Sequence, residues 1–307
     1  VAFVIMAVAP GGGWVLVAAV LMGIPLGLGN PVTNQLIVTR VDQTVQGTAT
    51  GVKQSGVQVG ALFAGAVVPP VAVVFGWRAG VGVLALVAVV GLLLAVPLRD
   101  TPQADRFDGD GPPGRPSTLA LFLCGYAALM GFAAAAVNAF LPLFAYEELA
   151  MSVSRAGQLV AVIGLLGALA RVGMGVIGNR IRRFALWLAG LAAVAVAASA
   201  LLLATSRQPG LVWLVVVGFA VSANAWQVAA MLAVVRQGRD AARSSGIVMG
   251  GFIGGMMLGP LTFGVVVDAT RSYAAGWGMV VSVFAAALGL SVLVTVRAVR
   301  ATPRPLA

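Results

Sequence analysis

The sequence predicts an all-α, polytopic membrane protein, and three observations support this fold class. Hydrophobic residues make up 60% of the 307-residue chain and charged residues only 9%, whereas about 25% of residues are charged in soluble globular domains. The mean hydropathy is +1.03. Nearly charge-free runs recur along the chain, each at least as long as the ~18 to 20 apolar residues that cross a bilayer as a helix.

The predicted elements are one partial span, at about 1–9, and about nine complete transmembrane helices. Each complete span is an apolar run whose ends are marked by basic or polar residues. In chain order these runs are 14–38, 51–75, 80–98, 118–145, 156–177, 184–205, 210–235, 246–268 and 277–297. Arg171 is the only formal charge well within a span.

The basic residues between the spans predict the orientation. If the segment after the first complete helix is cytoplasmic, fourteen basic residues lie on the cytoplasmic side, four lie on the outer side, and Arg171 lies in a helix. This asymmetry follows the positive-inside rule. We expect a multi-pass protein of the inner (cytoplasmic) membrane, with segment 99–117 and the C-terminus in the cytoplasm. Because the formal net charge of +10 is spread over these turns, it does not indicate a nucleic-acid partner.

One connecting segment divides the chain into two predicted bundles. Residues 100–117, DTPQADRFDGDGPPGRPS, are polar and rich in Pro, Gly and Asp, which is typical of a flexible linker. The predicted domains are the remainder of an N-terminal six-helix bundle at 1–98, a cytoplasmic linker at 99–117 and a C-terminal six-helix bundle at 118–307. An ordinary long loop is the alternative interpretation of the linker.

Two residue types bound the chemistry. The chain has no histidine, which argues against His-dependent membrane hydrolases and His metal sites. Cys124 is the only cysteine, so no disulfide can form within the chain, and we interpret it as a packed thiol. No cofactor or metal is expected.

The two halves carry an internal repeat at an offset of 195 residues. Without a gap, this offset aligns Gly23 with Gly218, Gly51 with Gly246, Gly56 with Gly251, and Gly60 with Gly255. Each window has a helix with polar residues midway, a basic turn and then a glycine-rich helix. Parallel repeats joined by a central linker are found in transporters built from two six-helix halves.

The same offset gives an expectation about the missing part of the repeat. The helix that starts near residue 118 has no counterpart within the chain, and the chain opens on Val rather than Met. We therefore expect that about two and a half helices of the intact protein are absent from this sequence.

Three segments resemble a known family, the major facilitator superfamily of secondary transporters, from its third helix to its twelfth. GMGVIGNRIRR, residues 173–183, is similar to the family's loop signature between helices eight and nine, GxxADRxGRR. Its matching or substituted positions are Gly175, Gly178, Asn179, Arg180 and Arg183, with Asn179 in place of Asp. The glycines of 56–65 with Gly76-Trp77-Arg78 are similar to the family's fifth helix, and SVSRAGQLVAVIGLLGALAR, residues 152–171, to its eighth.

The resemblance implies two bundles around a central cavity, a solute site near the bilayer midplane and alternating access. It implies a small-molecule solute as the partner, with the lipid bilayer, and no particular substrate. We expect a monomer.

Polar side chains within the spans are the candidate solute ligands, because such groups in lipid usually face the bundle interior or a cavity. The candidates in the helices are Asn30, Asn34, Asn138, Asn224 and Gln227. Asn224 and Gln227 lie at about the repeat-equivalent height of the Asn30 and Asn34 pair. Interhelical hydrogen bonding without a ligand is the alternative role.

Arg171 is the sharpest single candidate. A guanidinium within a span could bind a carboxylate or another oxyanion bidentately. The surrounding ARVGMG is similar to the arginine region of the eighth helix in monocarboxylate-type carriers of the superfamily. Packing and snorkelling are the alternative role.

The stretch GVKQSGVQVG, residues 51–60, combines glycines with polar residues at the head of a helix. At 100° per residue, Gly56 and Gly60 point one way and Gln54 and Gln58 roughly the opposite way. We expect the two glycines to pack against a neighbouring helix and the two glutamines to line the inner vestibule, at the depth of the inner leaflet. Lys53 serves topology.

The predicted function is transport of a small polar or organic-anion solute across the cytoplasmic membrane by alternating access. No carboxylate lies midway in a span, so coupling to protons or to another ion stays open. A drug or metabolite efflux carrier of the same fold and a non-transporting membrane receptor are the alternatives. The absence of His and of carboxylates inside the spans argues against an enzyme.

Overall fold

The computed structural model of the chain is all-helical over the residues that it describes, which are 1–42, 44–95, 116–178, 180, 183–236 and 241–301. The predicted all-α class is confirmed. In chain order the helices are α1 (Ala2–Val8), α2 (Gly12–Arg40), α3 (Gln46–Phe75), α4 (Trp77–Ala95), α5 (Thr118–Glu147), α6 (Val153–Gly178), α7 (Phe184–Thr205), α8 (Leu211–Ser222), α9 (Trp226–Val235), α10 (Ala241–Thr270) and α11 (Tyr273–Ala301).

Over the residues that the structure describes, the number of complete spans is lower than predicted. Within the described residues, seven helical segments are long and apolar enough to cross a membrane, against the expected nine. One of the seven is α8 and α9 taken together, at Leu211–Val234. The difference comes from the apolar stretches Gly12–Ile24 and Trp77–Leu93, which are parts of the 29-residue helix α2 and the 19-residue helix α4, and α1 corresponds to the predicted partial span.

The predicted continuous helix at 210–235 is wrong in one respect, because a turn at 223–225 divides it into α8 and α9. The backbone N–H of Val228 bonds the carbonyl of Ala225, three residues back, at 3.2 Å. The carbonyl of Asn224 instead accepts a hydrogen bond from a side chain of another helix. A side-chain donor inserted into the backbone ladder is one of the recognised causes of a break in a helix.

A one-residue turn joins α3 to α4. Gly76 has φ of +86°, a left-handed backbone that only glycine adopts without strain. Pro69 and Pro70 lie in the last turns of α3 without ending the helix.

Helices α3 and α6 pack antiparallel along a face that is lined by glycines, which we call the α3–α6 seam. A Cβ on Gly51 would lie 2.6 Å from the carbonyl oxygen of Arg171, and one on Gly65 would lie 2.5 Å from the nitrogen of Ala161. From the other side, a Cβ on Gly164 would lie 2.6 Å from the carbonyl oxygen of Gln58. The absence of side chains at these positions therefore sets the close approach of the two backbones.

The expected packing of Gly56 and Gly60 is wrong. Both glycines are exposed, and a Cβ added to either would have no described atom within 4 Å. The glutamine face is the packed face, since Gln54 and Gln58 are buried together with Gly51 and Gly65. Helical periodicity correctly separated the two faces but did not show which of them meets a neighbouring helix.

A second close contact, the α5–α10 seam, joins two parallel helices. Gly251 lies against Cys124, Gly255 against the backbone of Ala128 and Gly259 against that of Phe132. The buried core of the second half of the chain lies around this seam. Its large side chains include Trp226, Tyr126, Phe219, Phe263, Phe284 and Trp277.

Candidate functional site

Arg171 lies in α6 with only 4% of its surface exposed, and its guanidinium donates hydrogen bonds to two neighbouring segments. Nε donates to the carbonyl oxygen of Asn224 at 2.7 Å, and Nη2 donates to Oε1 of Gln227 at 2.7 Å. Nη1 donates to the carbonyl oxygen of Gln54 in α3 at 2.6 Å. One side chain therefore links α6 both to α3 and to the turn that separates α8 from α9.

Asn224 is held at this turn by a second side chain. The side-chain nitrogen Nε2 of Gln58 donates to Oδ1 of Asn224 at 2.7 Å. We refer to Arg171, Asn224, Gln227, Gln54 and Gln58 together as the Arg171 cluster. All five of these residues were predicted as candidates, and the fold brings them together at the junction of α3, α6 and α9.

The helix interfaces explain why these side chains can meet. Gln54 and Gln58 are one turn apart on the buried face of α3, and Arg171 follows Gly164 and Gly167 on the facing side of α6. The glycines bring the backbones close enough for Arg171 to reach a main-chain carbonyl across the seam. The predicted inner-vestibule exposure of the glutamines is wrong for this conformation, since both are buried.

The electrostatics of the cluster are unusual, because the three acceptors of the guanidinium are neutral. None of the described acidic side chains pairs with Arg171. A buried cation requires hydrogen bonds or a counter-charge to offset its desolvation, and here amide oxygens supply the compensation.

Donors are in surplus within the Arg171 cluster. A guanidinium carries five N–H groups, and the three hydrogen bonds leave one N–H on each terminal nitrogen without an acceptor among the described residues. Nδ2 of Asn224, in a residue 5% exposed, is also buried without a described partner. Such an arrangement is chemically suited to an added acceptor, such as a carboxylate oxygen.

The remaining span candidates lie apart from the cluster or outside the described side chains. Asn138 in α5 is exposed, and its Nδ2 donates to the carbonyl oxygen of Ala134 in the same helix at 2.9 Å. Asn30 and Asn34 lie on α2, but their side chains are outside the described residues.

The loop motif between α6 and α7 is partly described. A Cβ on Gly175 would lie 2.5 Å from the carbonyl oxygen of Gly47 in α3, and a Cβ on Gly178 would meet Leu232 of α9. Arg180 and Arg183 are exposed, in the turn and at the N-cap of α7 respectively. Asn179 lies outside the described residues.

Sequence reasoning missed a positioning role for Arg236, which it treated only as a topology signal. Nη2 of Arg236, at the end of α9, donates to the carbonyl oxygen of Gly178 at 3.2 Å, and its guanidinium lies 5.0 Å from the ring centroid of Phe184. A basic residue that follows an apolar helix was visible in the sequence, but its partner was not. Arg236 therefore ties the end of α9 to the loop motif.

The comparisons with known proteins agree with this architecture. The model of the Major Facilitator Superfamily matches the chain twice, over residues 1–238 and 121–307, so that the matches together span the whole sequence. No curated protein matches the chain. With its membrane-length helices, the chain belongs to the Major Facilitator Superfamily and is a multi-pass membrane protein.

Proposed function

We propose that the chain transports a small polar or organic-anion solute across the cytoplasmic membrane by alternating access. The observation that carries this proposal is the Arg171 cluster, in which a buried guanidinium and a buried carboxamide have donors to spare and no acidic partner among the described residues. A solute oxyanion would supply both the missing acceptor and the missing counter-charge.

The α3–α6 seam gives this site a way to open. In the proposed domain division, α1 to α4 belong to the bundle at 1–98 and α5 to α11 to the bundle at 118–307, with the linker 99–117 between them. Rocking of one bundle against the other would withdraw Gln54 and Gln58 from α6. The Nη1 of Arg171 would lose the carbonyl oxygen that it now contacts at 2.6 Å, and a solute oxygen could occupy that position.

The proposed orientation places segment 99–117 and the C-terminus in the cytoplasm. It rests on the excess of basic residues in the turns assigned to that side. In this orientation the loop motif with Gly175, Gly178, Asn179, Arg180 and Arg183 is a cytoplasmic element that holds the ends of α6 and α7 during rocking.

The test is uptake by proteoliposomes that contain Arg171→Lys, with the exposed Arg155→Lys at the other end of α6 as the matched control. The probes are radiolabelled short-chain monocarboxylates, dicarboxylates and neutral polyols. Lysine keeps the charge but cannot form the planar, bidentate contact. We expect Arg171→Lys to raise the apparent KM for the transported anion at least tenfold and Arg155→Lys to leave it unchanged.

Two outcomes would contradict the proposal. An unchanged KM in a folded Arg171→Lys variant would remove Arg171 from the solute site. Saturable binding of these probes without any counterflow would instead support the receptor alternative.

A second candidate, efflux of amphipathic organic compounds, is favoured by an open groove between α2 and α3. Its volume is about 550 Å³, and its wall is mostly apolar around Thr33, Thr48 and Lys53. This volume is within the range of sites for drug-sized ligands. Energy-dependent extrusion of a lipophilic dye by cells that express the protein, lost in Ala49→Trp and retained in Arg171→Lys, would favour efflux over anion transport.

A further inference from the structure

A separate cavity of about 210 Å³ lies at the membrane end where α5 and α7 finish and α11 begins. It has room for roughly seven waters at ~30 Å³ each. Aromatic rings of Phe144, Tyr273 and Trp277 line it, and Phe144 lies 5.3 Å from Tyr273 and 5.4 Å from Trp277 between ring centroids. The cavity is distinct from the Arg171 cluster and shares no residue with it.

Two unpaired charges of opposite sign line this cavity. Glu148 and Arg271 are both exposed, and neither side chain forms a hydrogen bond or an ion pair with a described residue. The adjacent Glu147 differs, because its Oε2 accepts a hydrogen bond from the hydroxyl of Tyr273 at 2.6 Å and the residue does not line the cavity. The wall therefore offers one free carboxylate and one free guanidinium.

A buried donor at the same place also lacks a partner. Trp277 is 1% exposed, and its Nε1–H has no acceptor among the described residues. Buried donors without any partner are uncommon in native proteins, and this one belongs to a residue that lines the cavity.

We propose that this cavity binds the zwitterionic headgroup of a phosphatidylethanolamine-type lipid, with the phosphate on Arg271 and the primary ammonium on Glu148. Phosphate oxygens are good acceptors for a guanidinium. A primary ammonium donates to a carboxylate and is attracted to the faces of aromatic rings. The headgroup satisfies both charges at once.

The position of the cavity favours a lipid over a soluble zwitterion. It lies at the ends of three apolar helices, where headgroups are found, and Leu203 in its wall is 45% exposed on the surface of the membrane-spanning α7. Acyl chains can follow that surface while the headgroup enters the cavity. This inference does not depend on the transported solute.

The test uses the 307-residue chain in nanodiscs that contain phosphatidylethanolamine, phosphatidylcholine or phosphatidylglycerol, with lipid retention measured by native mass spectrometry. We expect phosphatidylethanolamine to be retained at least fivefold more than either other lipid, because only this lipid has both a phosphate and a primary ammonium. Glu148→Gln and Arg271→Gln should each reduce the excess to less than twofold. The controls Glu147→Gln and Arg207→Gln, at the same membrane end, should keep it.

Either of two results would overturn the proposal. One is equal retention of the three lipids by the wild-type protein. The other is an undiminished excess of phosphatidylethanolamine in both Glu148→Gln and Arg271→Gln. Soluble phosphoethanolamine provides the remaining arm. Displacement of the retained lipid only at high excess supports the lipid as the ligand, whereas tight binding of phosphoethanolamine without any lipid preference contradicts it. Thermal unfolding of each variant, followed by a thiol-reactive dye at Cys124, checks that the variants are folded.

Discussion

Glycines line both the α3–α6 seam and the α5–α10 seam, but the two seams differ in role. Glycines let two helix backbones touch in both, with Gly51, Gly65 and Gly164 in the first and Gly251, Gly255 and Gly259 in the second. The first pair is antiparallel and holds the Arg171 cluster. The second pair is parallel, and its glycines lie against Cys124, Ala128 and Phe132.

This difference indicates which of the two helix–helix seams can open during transport. In the α5–α10 seam, separation would expose tightly fitted backbone without any alternative partner, so we regard this seam as permanent. In the α3–α6 seam, the polar groups of the Arg171 cluster can exchange their protein partners for a solute or water at modest cost. The seam with polar groups is therefore the one that we propose to open.

The largest expected effect comes from breaking the permanent seam. Gly255→Val would place side-chain atoms against the backbone of Ala128, and overpacking of this kind costs ~1 to 3 kcal/mol or more. We expect loss of most folded protein, measured as the yield of monodisperse protein after detergent extraction. Gly254→Val is the matched control, because a Cβ there has no described atom within 4 Å. Equal yields for the two variants would show that the α5–α10 contact is not tight.

An intermediate effect is expected in the seam that we propose to open. Gly164→Val would place a Cβ 2.6 Å from the carbonyl oxygen of Gln58, which prevents α3 and α6 from closing. We expect the protein to stay folded, with a lowered Tm, and to lose solute uptake in proteoliposomes. Gly173→Val in the same helix, which meets no described atom within 4 Å, should keep both properties. Normal uptake by Gly164→Val would argue against closure of this seam in the transport cycle.

The smallest effect is expected for a candidate that stayed outside both seams. Asn138 donates to a carbonyl of its own helix and is exposed, so Asn138→Ala should change stability by no more than ~0.5 kcal/mol. Uptake kinetics should also be unchanged. A KM shift in this variant would place Asn138 in the solute path and would enlarge the site beyond the Arg171 cluster.

Much of the fold was predictable because membrane-spanning helices are recognisable in a sequence by their length and their lack of charge. The ends of α5 and α7 fall within two residues of the predicted ones. The turn at 223–225 was not predictable, because the donor that bonds the Asn224 carbonyl there comes from Arg171, a residue distant in sequence. Helix breaks made by tertiary contacts leave no local signal of the kind that Gly76 provides.

The candidate site was predictable in its residue types and only partly in its geometry. The rarity of polar groups in the spans identified Arg171, Gln54 and Gln58, and helical periodicity placed the two glutamines on one face. Periodicity could not show that this face, and not that of Gly56 and Gly60, meets α6. The repeat was no guide either, because Gly56 is exposed while its aligned partner Gly251 is packed.

The central claim is that α3 and α6 must separate during transport while α5 and α10 stay together, and disulfide trapping tests it most directly. Gln58→Cys with Gly167→Cys, in a Cys124→Ser background, would bridge the α3–α6 seam, because a Cβ on Gly167 lies 3.2 Å from Cγ of Gln58, the position that the new sulfur would take, and its nearest neighbours are atoms of that side chain. Gly251→Cys would bridge the α5–α10 seam through the native Cys124, whose Sγ lies 2.8 Å from the added Cβ.

Uptake would be measured in proteoliposomes before oxidation, after oxidation and after reduction. We predict that oxidation abolishes uptake by the variant with a disulfide across the α3–α6 seam, and that reduction restores it. The variant with a disulfide across the α5–α10 seam should have the same uptake when oxidised as when reduced. Full uptake by the oxidised α3–α6 variant, with its disulfide verified by mass spectrometry, would contradict the claim.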